Sequence, residues 1–113
     1  MPVEAPPFWT AEIGDFVQRV NAAWIAAGAP AVRLTSWWRS RYRNAVVGGH
    51  PNSQHLTGLA IDVSRDAAGS AFANAAAAYG LVPINEGDHW HIQRFPAGGG
   101  QGLCCGVAGA QVR

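Results

Sequence analysis

Between residues 11 and 27 the apolar side chains Ile13, Phe16, Val17, Val20 and Trp24 recur at the spacing of one helix face. Thr10 stands where an N-cap belongs and Gly28 where a helix stops, so the pattern predicts a core-facing helix. The period then changes from helical to alternating. Over 31–38, Val32, Leu34 and Ser36 fall on one side and Arg33, Thr35 and Trp37 on the other, which predicts a strand. A short helix is expected over 40–47, ending at Gly48-Gly49, and a loop of turn formers over 48–54. After a tight turn at Gly58, the apolar run 59–63 reads as a buried strand, with Ile61 and Val63 on one face and Ala60 and Asp62 on the other. A polar linker follows, then an alanine-rich helix from about residue 70 to 79, closed by Gly80, whose small side chains allow close packing on a sheet. Segments 81–84 and 89–93 read as antiparallel strands joined through Asn85-Glu86-Gly87. The sum is an α+β fold: one small antiparallel sheet flanked by about three helices in a single domain over 11–96, with an N-terminal arm (1–10) and a glycine-rich tail (97–113).

Asp62 disturbs this pattern. Aspartate is depleted in strands and costly to bury without a partner, so its place inside an apolar run asks for a cation. The four histidines, His50, His55, His89 and His91, all lie in or beside two short segments, 48–62 and 88–91. Strand alternation puts His89 and His91 on one face. His55, Asp62 and His91 then make a two-histidine, one-carboxylate set with an open fourth position, as catalytic zinc sites require. Asp88 stands where a general base would, and His89 where a group stabilising developing charge would. Glu86 offers a rival frame, Glu86-x-x-His89. A closed structural site completed by His89 or His50 is the alternative, although structural zinc sites favour cysteine.

Ser53-x-His55-x-x-Gly58-x-Ala60-x-Asp62 followed by Asp88-x-Trp90-His91 resembles the zinc D-alanyl-D-alanine carboxypeptidase and dipeptidase family, which includes vancomycin-resistance peptidases and phage endolysins. The likeness is closest to short phage or phage-like tail peptidases. It extends upstream to Ser36-Trp37-Trp38-Arg39-Ser40 and covers roughly the middle two-thirds of the chain; fixed spacing, a ligand set and an arginine segment together are far more specific than any one alone. The resemblance implies one zinc ion per chain held by His55, Asp62 and His91, with Asp88 as catalytic acidic residue and His89 as the first histidine of a His-x-His pair. Arg39 falls where the family binds substrate or polarises the scissile carbonyl, and Ser53 where a polar residue contacts substrate. Many members carry glutamate at the Asp88 position. The implied substrate is a D-amino-acid-containing stem peptide of bacterial peptidoglycan, and the implied reaction is amide hydrolysis. The same fold without turnover would be a zinc-containing wall-binding module.

Composition narrows the partners. Charged residues make up 13% of 113 positions and the net charge is +1, too little and too dispersed for a nucleic-acid footprint. The nearest approach to a basic patch is Arg39, Arg41 and Arg43; the last two read either as a solvated helix start or as carboxylate binders. The N-terminus has an acidic residue and three prolines within its first seven positions where a secretory signal needs a basic start and an apolar run, and no stretch is long enough to span a membrane. A monomer made in the cytoplasm is expected, reaching the wall on lysis or within a phage-like particle. Trp37 and Trp38 read either as core or as a groove lining, and His50 as a solvated loop residue. The adjacent Cys104 and Cys105 are poorly placed to bond each other and read as free thiols rather than metal ligands.

Overall fold

The structure is a computed structural model, described here for residues 3–28 and 31–95; the glycine-rich tail with Cys104 and Cys105 lies outside the described residues. Three α-helices, α1 (Ala11–Ala27), α2 (Arg41–Val46) and α3 (Ala67–Ala77), accompany four strands, β1 (Leu34–Ser36), β2 (Ala60–Ser64), β3 (Val82–Asn85) and β4 (His89–Gln93), and one 3-10 turn over Gln54–Thr57. The strands form one antiparallel sheet in the order β1-β2-β4-β3. No helix among the described residues is long and apolar enough to cross a membrane.

Local chemistry accounts for the elements. Thr10 Oγ1 accepts the Ile13 N–H at 3.1 Å and starts α1; Gly28, in the left-handed conformation, stops it. α3 begins earlier than its alanine pattern suggests because Asp66 caps it, accepting the Gly69 N–H at 2.8 Å. Gly69 is also where α3 comes nearest to β2: a Cβ there would lie 1.7 Å from the Ser64 carbonyl oxygen. A larger residue would lift the helix off the sheet.

β1 is shorter than the alternation predicts, three residues instead of eight. The pairing with β2 slips between Leu34 and Ser36, and beyond it the backbone serves other partners: the Trp37 carbonyl faces His55, and the Trp38 N–H donates to Glu4 O at 3.0 Å. The N-terminal arm therefore lies against the domain, with Phe8 edge-on to Trp38.

One face of the sheet carries the core. Ile61, Val63 and Ile92 meet Ile13 and Phe16 of α1 and Phe72, Ala73 and Ala76 of α3, with Trp24 edge-on to Phe72. The indole N–H groups of Trp37 and Trp38 donate to the carbonyls of Gly58 (2.9 Å) and Leu56 (3.1 Å), and Trp37 packs against the core. All five residues of β2 are nevertheless buried, so its second face is covered too. That cover is the 3-10 turn and the segments around it.

Candidate metal centre

Register decides what the second face presents. Across β2 and β4, Asp62 stands opposite His91 and Ser64 opposite His89. Opposed residues share a face, so Asp62, His91 and His89 look the same way, away from α1 and α3. His55 arrives from the 3-10 turn, whose start is fixed by Ser53: its hydroxyl accepts the His55 N–H at 3.1 Å. Beyond β4 the ladder continues for one more pair, the Glu86 N–H donating to His89 O at 3.0 Å. Glu86 and His89 thus flank a two-residue tip, Gly87-Asp88, in which Gly87 has φ of 93°.

His55, Asp62 and His91 form a buried triad whose ligand atoms all lie within 4.8 Å of one another. Asp62 Oδ1 is 3.1 Å from His55 Nε2 and 3.1 Å from His91 Nδ1. The far nitrogen of each ring is engaged. His55 Nδ1 contacts the Trp37 carbonyl at 2.5 Å, and a carbonyl only accepts, so the proton sits on Nδ1. His91 Nε2 lies 2.8 Å from Gln93 Oε1, and the Gln93 amide is oriented by its own donation to Phe95 O at 2.5 Å. Each ring therefore turns its remaining nitrogen toward the Asp62 carboxylate, free to serve as a metal ligand once its proton leaves. Three potential ligand atoms converge in a buried site where a cation would replace the protons between them, and the set of two imidazoles and one carboxylate suits zinc. The residues fit the metal.

The electrostatics agree. Burial lowers the pKa of His55 against the opposing pull of Asp62, favouring the neutral ligand form. Burial alone would raise the Asp62 carboxyl, but in the metal-free protein protons shared with His55 and His91 outweigh it and hold the group well below the usual carboxylate range; a bound cation would take the place of those protons. Its second oxygen, Oδ2, accepts from Arg39 Nη2 at 3.0 Å, which leaves Oδ1 for the ion.

A cavity of about 300 Å³ opens over this triad, lined by Arg39, His50, Ser53, Glu86 and His89 together with the two histidine ligands and the Gly48-Gly49 backbone. The placement of the sequence-predicted residues divides here. His55, Asp62, His91, His89, Arg39 and Ser53 come together. Asp88 does not: its side chain is 92% exposed at the hairpin tip and bonds the outer nitrogen of His89, Nδ1, at 2.6 Å. The rival Glu86 is the carboxylate on the cavity, 3.0 Å from His89 Nε2, because a residue flanking the tip follows the strand face whereas a residue at the tip need not. The two acidic partners, Glu86 first, raise the His89 pKa to about 9, so the ring carries positive charge at neutral pH. Arg39, expected to meet substrate, spends one arm of its guanidinium on Asp62.

A family model for peptidase M15 matches residues 3–92. The chain belongs to the peptidase M15 family. M15 peptidases are zinc-dependent, and the buried triad is where this M15 chain can hold the ion. Among curated proteins none matches the chain. Two residues of the site differ from their reading in the sequence, His50, expected as a solvated loop residue, and Gln93, which had no role assigned. His50 lines the cavity, its Nδ1 accepting the Asn52 N–H at 2.9 Å, and Gln93 is wholly buried behind His91. A glutamine at the end of a strand two positions past a ligand histidine was the available signal, since both share a face.

Proposed function

We propose that this chain hydrolyses amide bonds in peptidoglycan stem peptides, binding them in the cavity above His55, Asp62 and His91. The observation that carries the reading is the convergence of three buried ligand atoms from His55, Asp62 and His91 beside a cavity that also holds a carboxylate and a cationic imidazole. A zinc ion bound there would supply Lewis acidity, polarising an amide carbonyl and lowering the pKa of water. The chain's own residues do the rest. Glu86, on the cavity wall, accepts the proton of the attacking water and returns it to the leaving amine. His89, held positive between Glu86 and Asp88, offsets the negative charge that grows on the carbonyl oxygen. Asp88, 92% exposed, keeps His89 charged and oriented from the solvent side. Arg39 holds Asp62 by its outer oxygen.

The experiment is a digest of purified peptidoglycan by the zinc-loaded protein and by a chelated control, read by mass spectrometry for new amine termini. Chelator-sensitive release of peptides supports the reading and identifies the bond. Intact wall from every source tested, with zinc bound, would make the site a binding module. Spacing to His91 favours Asp88 as the base instead, and the two assignments separate cleanly. On the geometry, Glu86→Gln keeps zinc and loses turnover, about 10²–10⁴-fold for a general base, while Asp88→Asn loses less. The reverse order returns the base to Asp88.

A further inference from the structure

Asn44 is a polar residue only 3% exposed on a helix whose neighbouring Tyr42 and Val46 are open to solvent. Both ends of its amide are engaged. Oδ1 accepts from Arg39 Nη1 at 3.1 Å, and Nδ2 donates to the His50 carbonyl at 2.8 Å. Its backbone carbonyl accepts the Gly49 N–H at 2.8 Å. One residue thus joins the guanidinium that holds Asp62 Oδ2 to the loop that walls the cavity. Gly49 is packed onto this junction. A Cβ at that position would stand 2.1 Å from Asn44 Oδ1 and 3.1 Å from Arg39 Nη1, so its need for glycine is steric.

We propose that Asn44, with Gly49 packed against it, is a positioning residue for the metal centre: it fixes Arg39 on the outer oxygen of Asp62 and ties the His50 loop to that pair. The proposal rests on reading His55, Asp62 and His91 as a metal site. The Arg39 guanidinium has three hydrogen-bond partners, Ser36 Oγ, Asn44 Oδ1 and Asp62 Oδ2. Without the Asn44 amide, Nη1 loses its acceptor and the His50 carbonyl loses a donor. The guanidinium is then free to swing toward the cavity, and Asp62 is free to turn Oδ1 off the ligand position. Arg39 acts through Asp62, and Asn44 acts through Arg39.

The test is the zinc dissociation constant of the full chain, measured by competition with a chromophoric chelator for wild type, Asn44→Ala, Gly49→Ala, Arg39→Ala and the double variant lacking both Arg39 and Asn44. Asn44→Ala is expected to weaken zinc about tenfold, the lower end of the range for residues behind a ligand. Gly49→Ala, which crowds the junction where the first variant empties it, moves affinity the same way. In the Arg39→Ala background Asn44→Ala adds nothing further, because the coupling runs through the guanidinium. Unchanged affinity in Asn44→Ala overturns the proposal, and so do losses that add in the double variant. Should Asn44→Ala not fold, Gly49→Ala decides alone: wild-type affinity with that side chain in place overturns it. A wild-type chain that binds no zinc instead defeats the metal site itself, a separate outcome.

Discussion

The two faces of β2 and β4 are built from alternate residues of the same ten positions, and they are held in opposite ways. On one face Ile61, Val63 and Ile92 are buried against α1 and α3, an arrangement complete in itself because apolar surface needs only to leave water. On the other, Asp62 and His91 are equally buried but their acceptor atoms face one another. That face is a set of ligand atoms that a cation can join. The contrast separates what keeps the chain folded from what the fold is for, and substitutions on the two faces should have different signatures.

The largest loss of stability belongs to the core face. Phe72→Ala empties a side chain wholly removed from solvent and should lower unfolding free energy by about 3–5 kcal/mol, measured by urea denaturation of the metal-free protein. On the polar face, His91→Ala should leave metal-free stability far less changed yet cut zinc affinity by more than the roughly 10–100-fold cost of losing an outer partner. Gln93→Leu comes next. It removes the acceptor that keeps the proton on His91 Nε2, and zinc affinity should fall about tenfold in a competition titration. Equal effects of His91→Ala and Phe72→Ala on both readouts would erase the distinction between the faces.

The smallest effect concerns pH. Glu86 and Asp88 raise His89 from 6.5 to about 9 in the folded, metal-free protein. A pKa raised on folding contributes stability that is fully present below 6.5 and is lost as pH rises through about 9. Thermal melts of chelated protein should show that decline, and Glu86→Gln should flatten it. A slope unchanged in Glu86→Gln would detach His89 from Glu86.

How far the chain could be read depended on whether a feature is periodic. The helix over 11–27 was legible because apolar spacing, cap and stop all agree. β4 was legible to the residue, because alternation through His89, Trp90, His91 and Ile92 fixes both faces. The triad followed from the same alternation joined to the resemblance. The short helix expected over 40–47 is α2, which the structure starts after Ser40, whose hydroxyl accepts the Arg43 N–H at 3.0 Å; nothing in the pattern marked Asn44 as buried. β1 was overread because tertiary partners at Glu4 and His55 take the backbone groups that alternation assigned to a ladder. The orientations of Glu86 and Asp88 turn on where a hairpin tip falls, a matter of one residue that spacing alone leaves open. The Trp37 carbonyl behind His55 had no signal at all, since a main-chain group looks the same at every position.

The central claim is that the acceptor-lined face of the sheet holds one zinc ion. Equilibrium titration of the purified, metal-stripped chain, with Asp62→Asn beside it, tests this most directly. One equivalent is expected to bind tightly to the wild type, with a large loss of affinity in Asp62→Asn, which remains folded. A wild-type chain that binds no zinc, or an Asp62→Asn variant that binds it as tightly, would contradict it.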